Sequence, residues 1–309
     1  MRLGVVFVHG IGREHPGWAN QTIARLSRSV HEQLRALQPS AQLPPPEELL
    51  IADSVSWDHL FRQRQQLLAQ ILQATSEPAA EPEGWLQRIQ AWLLRKARQA
   101  QATLVTEFIG DIIGYLGAEN RRAVQEEMTA TLDRMAGRCA AHEGRAPLTI
   151  IAHSLGTVIA SEYVWDLRKR RASSNADGFH PAWELANFFT LGSPLALFSL
   201  KFGGAEAFRD PIRLDAASGR WINILNPRDP VGMPLRTLNE EYAAVIHADL
   251  LVRGGKYLQC HLEYLQHAKV LRVIAEKLAV DWLALNAALP ENRLRQLAAA
   301  YDATLRASV

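Results

Sequence analysis

Two periodicities alternate along this 309-residue chain. Short runs that are apolar throughout stop abruptly at glycine or serine, and longer stretches carry apolar residues every three or four positions. The first kind reads as strands buried on both faces, as in a parallel sheet, and the second as amphipathic helices. Leu3 to Val8 (LGVVFV) opens the chain as such a strand and ends at His9-Gly10. Pro16 to Leu37 reads as a helix, with Ile23, Leu26, Val30, Leu34 and Leu37 on one face, and the proline-rich LPPPEE ends it. Leu49 to Trp57 is a second strand candidate. PLTIIAHS is a third, running into a helix from Leu155 to Arg171. Ala186 to Pro194 and Trp221 to Gly232 follow, the latter closing in a loop that carries Asp229. AAVIHADLLVRGG is the last strand candidate, Glu263 to Leu285 the closing helix, and a polar, helix-prone tail completes the chain.

Between the second and third strands the pattern changes. Residues 58–143 show helical stripes (Leu60, Phe61, Leu67, Leu68, Ile71, Leu72; then Trp85, Ile89, Trp92, Leu93) separated by SEPAAEPEG, with no convincing strand. This is a helical insertion within one domain spanning 1–309, a cap or lid whose last part serves as an ordinary crossover helix. The alternation elsewhere predicts an α/β fold with a mainly parallel central sheet and helices on both faces.

Composition narrows the class only slightly. The chain is 48% hydrophobic and 21% charged, ordinary for a globular protein, and its net charge of +2 argues against nucleic acid or an anionic membrane surface. The basic run Arg168-Lys169-Arg170-Arg171 falls where a helix ends, a position cations favour. Two cysteines, Cys139 and Cys260, make neither a disulfide framework nor a zinc site. No apolar run reaches the ~18 residues of a spanning helix, and the N-terminus does not resemble a signal peptide. A cytoplasmic, reduced protein is the default expectation, with peripheral membrane contact left open.

The chemistry concentrates where strands end. Ala152-x-Ser154-x-Gly156 is a small-x-Ser-x-Gly pattern at a strand-to-helix junction, where a tight turn leaves room only for small residues two places either side of the serine. The simpler alternative is a serine that caps the helix. His9-Gly10-Ile11-Gly12, a glycine turn after the first strand, can aim backbone N–H groups at the same space. The Ile11 amide (with Gly12 as alternative) and the Leu155 amide then make an oxyanion hole, each donor worth about 2.7–4 kcal/mol. Asp229 lies in Asn-Pro-Arg-Asp-Pro after a strand, on the sheet edge where open α/β sheets bind ligands. His261 lies in YLQCHLEYL after the last strand, and the order Ser154, Asp229, His261 is that of an α/β-hydrolase triad. His247, inside a strand candidate, and His267, two turns into the closing helix, are poorer choices for the imidazole. His153 packs beside the nucleophile strand rather than reacting. Ser193, in LGSP, either lines the pocket or serves its turn, and Asp111, in FIGDIIGYL, either faces the pocket or serves a helix end.

Taken together, VVFVHGIG, IIAHSLGTVIAS, FFTLGSPL, NILNPRDPVG and CHLEYL resemble the α/β-hydrolase superfamily, and within it bacterial lipase- and esterase-like proteins whose motif runs HG, small-H-S-L-G, LGSP, D-P-V, H-x-x-Y. The resemblance covers roughly residues 1–57 and 145–280 and leaves out the insertion. It implies Ser154 as nucleophile, His261 as base and Asp229 as the acid that orients it, acting on a small-molecule carboxylic ester or lipid through an acyl-enzyme without metal or cofactor. Ala152 departs from the commoner glycine. A thioesterase, amidase or transacylase on the same residues, and a non-catalytic binding scaffold, are the alternatives. Cys260 beside His261 is a poor thiol nucleophile, because adjacent side chains point apart.

Overall fold

The computed structural model describes residues 1–10, 17–57, 115, 117–139, 144–255 and 259–306. Most of the 58–143 stretch, and with it Asp111, lies outside the described residues, as do Ile11 and Gly12.

Six strands form one all-parallel sheet: β1 (Leu3–Val8), β2 (Leu50–Val55), β3 (Ala146–His153), β4 (Trp183–Leu191), β5 (Arg220–Leu225) and β6 (Ala248–Leu251). Their spatial order is β2-β1-β3-β4-β5-β6. The chain therefore builds outward from β1 in one direction to β2, then returns to the other side of β1 and builds outward again. β1 and β3 are the neighbours at this reversal, paired in register from Gly4↔Leu148 to Val8↔Ala152. At such a switch point the connections leave the carboxyl ends of two adjacent strands toward opposite faces, and a crevice opens between them.

Helices cover both faces. Alternate residues of a strand point to opposite sides. Val6, Val8, Leu148, Ile150 and Ala152 share one core with α2 (Ala118–Gly137) and α3 (Leu155–Ser173), through Val124, Met128, Leu132, Val158 and Ile159. Leu3, Val5, Phe7 and Ile151 share the other with α1 (Trp18–Leu37), through Leu26, Val30 and Leu34, and with two later helices. The last part of the 58–143 region, α2, is thus an ordinary sheet-covering helix. The continuous apolar runs follow from this double coverage: every position of β1 is buried.

Beyond β4 come the short α4 (Leu195–Phe198) and α5 (Glu240–Val245), then α6 (Gln259–Leu262), α7 (Ala268–Leu285) and α8 (Glu291–Arg306). Two boundaries differ from the sequence expectation. AAVIHADLLVRGG is not one strand. Asn239 caps α5 by accepting from the Tyr242 N–H, and only Ala248–Leu251 pairs with β5. The closing helix begins at Ala268, not Glu263. A 3-10 turn (Tyr264–Gln266) precedes it, and the His267 ring caps it by accepting from the Lys269 N–H, so His267 stands at its start rather than two turns inside.

Partly buried ionic groups around the start of β5 form pairs. Arg220 makes a two-pronged contact with Asp302 at 2.7 and 2.8 Å, and Lys277 pairs with Asp281, which also accepts from Asn187. Among the described residues no helix is long and apolar enough to cross a membrane.

Candidate active site

The site is built at the switch point. β3 ends at His153, and α3 starts one residue later at Leu155, so Ser154 must reverse the chain by itself. It does so with φ 54° and ψ −130°, in the left-handed half of backbone space, which a residue with a Cβ occupies at a cost of about 1–3 kcal/mol. The strain is held by surrounding bonds. The Ser154 N–H donates to the Leu191 carbonyl at 2.9 Å, and the Ser154 carbonyl accepts from the Thr157 N–H and hydroxyl at 3.0 and 2.7 Å. A helix N-cap serine would aim its oxygen at the N–H groups of its own first turn. Ser154 makes no such bond, and its hydroxyl faces outward to His261.

Close approach explains the small residues. A Cβ on Gly156 would lie 2.2 Å from the Val8 carbonyl oxygen and 2.5 Å from that of His9. A Cβ on Gly10 would lie 2.3 Å from the Ser154 Cβ. Helix α3 therefore packs against the backbone end of β1, and that end sits against the turn at Ser154. Gly156→Ala should lower stability by about 3 kcal/mol, at the upper end for overpacking because backbone rather than a flexible side chain is in the way. Urea unfolding measures this, and the roughly 1 kcal/mol gained in helix propensity does not offset it.

Asp229 is set by a turn whose residues suit it. The Asp229 N–H donates to the Asn226 carbonyl at 2.9 Å, with Pro227 at the second position, and the Asn226 side chain accepts from the Arg228 N–H at 3.0 Å. His261 sits on α6. The three side chains meet: His261 Nε2 lies 2.8 Å from Ser154 Oγ, and His261 Nδ1 lies 2.8 Å from Asp229 Oδ2. All three are buried, Ser154 at 0%, His261 at 4% and Asp229 at 6% exposure.

Protonation follows from the partners. Burial pushes the Asp229 carboxyl up, but the His261 charge and hydrogen bonds from His261, the Val231 amide and Tyr264 outweigh it and hold the group below its ordinary value. An ionised carboxylate only accepts, so Nδ1 carries a proton, and in the neutral imidazole Nε2 is then left to accept from the Ser154 hydroxyl. That is the state in which an imidazole can take a proton from the serine.

No protein-family model and no curated protein matches this chain.

The neighbouring residues divide cleanly. His153 stands outside the Ser154–His261–Asp229 chain of bonds: its Nε2 donates to the His261 carbonyl at 2.6 Å, so it braces the segment that carries His261. Burial, and then the His261 charge, push its pKa down to about 3, which keeps it a neutral donor. Ser193 serves its turn, with its hydroxyl in contact with the Thr157 hydroxyl and accepting from the Leu195 N–H. His247 lies just before β6 and accepts from the Trp221 N–H, away from Ser154. Burial pushes the Cys260 thiol up, with the Asp229 charge adding to this, the wrong direction for a thiolate nucleophile.

At the oxyanion side the two expected donors differ in standing. Leu155 is the first residue of α3, so its N–H has no acceptor within the helix and is free to face a ligand. The Ile11 position lies outside the described residues. Two residues earlier, His9 stacks on Trp57 with ring centroids 5.2 Å apart, and the Trp57 Nε1–H donates to the His9 carbonyl. Among the described residues no group of three or more His, Cys, Asp or Glu is placed to hold a metal ion.

One member of the cluster, Tyr264, falls in the H-x-x-Y pattern of the sequence but is given no role by it. The Tyr264 hydroxyl reaches Asp229 Oδ2 at 2.8 Å. Its signal was present in CHLEYL, three residues after His261, but nothing local says what that hydroxyl would meet.

Proposed function

We propose that the chain is a serine hydrolase of the α/β-hydrolase type that cleaves a carboxylic ester or lipid through an acyl-enzyme. The observation that carries this reading is the unbroken relay from Ser154 Oγ through His261 to Asp229, with both links at 2.8 Å. Such a relay has no structural purpose that an apolar contact would not serve more cheaply, because burying three polar groups costs free energy unless each is bonded. The strained backbone at Ser154 adds to it, since strain of this kind persists where function requires a side chain to be held out.

In the reaction His261 takes the Ser154 proton as the oxygen attacks the substrate carbonyl, then returns it to the leaving alcohol. Asp229 fixes the imidazole tautomer and stabilises the imidazolium. The tetrahedral oxyanion lies against the Leu155 amide, at the positive end of α3. Water then attacks the acyl-enzyme, with His261 again removing the proton.

Incubation with a fluorophosphonate probe tests the reading. A phosphonylated peptide carrying Ser154, and turnover of p-nitrophenyl esters in a chain-length series, are the expected results. A folded protein that resists the probe and leaves every ester intact overturns it. Thioester and amide analogues in the same series identify the leaving group.

A further inference from the structure

The Asp229 carboxylate receives hydrogen bonds from three directions. Oδ1 accepts from the Val231 N–H at 2.9 Å, and Oδ2 accepts from both His261 Nδ1–H and the Tyr264 hydroxyl, each at 2.8 Å. The direction of the tyrosine bond is not in question. The Tyr264 oxygen lies 2.8 Å from the Asn226 backbone nitrogen. A backbone N–H can only donate, so the phenol accepts there and its own proton must go to Asp229. Burial, reinforced by the Asp229 charge, pushes the Tyr264 pKa far above the ordinary phenol value, so it remains a donor.

This arrangement is built in. A Cβ on Gly192 would lie 2.7 Å from the Tyr264 ring, 2.9 Å from Asp229 Oδ2 and 3.1 Å from His261 Nδ1. A Cβ on Gly232 would lie 2.8 Å from that same Oδ2 and 3.1 Å from the Tyr264 hydroxyl. The glycines of LGSP and DPVG thus clear the space in which the tyrosine and the histidine share one oxygen.

We propose that Tyr264 is a positioning residue that sets the basicity of His261 through the Asp229 oxygen they share. The inference rests on the serine-hydrolase reading. A hydrogen bond to a carboxylate oxygen disperses part of its charge, and charge dispersed toward the phenol is not available to stabilise an imidazolium on the same atom. Tyr264 therefore weakens the hold of Asp229 on an imidazolium at His261.

Among the described residues, the other groups that face His261 do not change in this account. His153 and Ser154 face it from the end of β3, with His9 at the end of β1 acting on His153, and Cys260 and Glu263 flank it in the chain. His153 is neutral, and the Cys260 thiol is pushed up.

The test is Tyr264→Phe, with two readouts. The acid limb of the pH profile for ester hydrolysis should move up by about half to one pH unit, with kcat reduced near neutrality and KM unchanged. The same upward shift should appear in a ¹⁵N NMR titration of the His261 ring, which needs no substrate. Loss of the Asn226 acceptor lowers Tm, but a purely structural defect reduces kcat equally at every pH and leaves the ring titration in place. If Tyr264→Phe does not fold, site-specific 3-fluorotyrosine, a stronger donor of nearly the same shape, should shift both readouts downward. An unmoved profile and titration, or a shift of the opposite sign, overturns the proposal. If the wild-type protein fails to react with the probe while the His261 titration of Tyr264→Phe shifts as expected, the hydrolase reading alone is overturned.

Discussion

Replacing Ser154 by alanine should reduce ester turnover by about 10⁶-fold, the loss typical when the nucleophile of such a relay is removed. The fold should survive. The Ser154 side chain donates one hydrogen bond, to His261, and the bonds that hold the turn come from its backbone. Alanine keeps the Cβ and therefore the backbone strain. Glycine does not, since a residue without Cβ adopts φ 54° freely. Ser154→Gly should be as inactive as Ser154→Ala yet unfold at a higher temperature. The serine would then be seen to hold a conformation that costs the fold stability and serves only to present its hydroxyl. Calorimetry of the two variants beside the ester assay checks both halves. Equal Tm values would mean that the turn is not strained.

Asp229→Asn should cost about 10⁴-fold in kcat near neutral pH with KM little changed. Three groups donate to this carboxylate: the Val231 amide, the Tyr264 hydroxyl and the His261 ring. Asparagine offers one acceptor and one NH₂ group. If the NH₂ takes the Oδ1 position, it meets the Val231 N–H head-on. If it takes the Oδ2 position, it faces His261 Nδ1 and draws the ring into the other tautomer, with the proton on Nε2. Nε2 would then donate to Ser154 Oγ rather than accept from it, and the serine could not be deprotonated. Probe labelling should slow by a similar factor. Activity within tenfold of the wild type would show that Asp229 does not orient the base.

Much of this architecture is legible in the chain before any coordinates. The apolar runs of β1 and β3 to β5 have the length and continuity of strands covered on both sides, because a strand between two helical layers has no polar face. Glycine, serine and proline at their carboxyl ends mark the loops from which the site is built. Ser154 follows β3, Asp229 follows β5, and His261 lies beyond β6 on α6. The elements whose limits were misread are those governed by capping rather than by periodicity. His267 and Asn239 each satisfy the N–H groups of a helix start, and that decides where α7 and α5 begin.

Local propensity and periodicity act over a turn or two of chain, and they determined the strands, the main helices and the sharp turn at Ser154. Which of ten histidines faces the serine was settled by the sheet. The placing of β1 between β2 and β3, and of β4 and β5 beyond, brings together side chains 107 and 32 residues apart. The brace from His153 to the His261 carbonyl and the shared oxygen of Asp229 belong to the same class. Each is a contact between groups whose neighbours in the chain give no hint of their partners. A hydrogen bond requires two atoms within about 3 Å, and only packing of the whole sheet and its helices sets distances of that order across the fold.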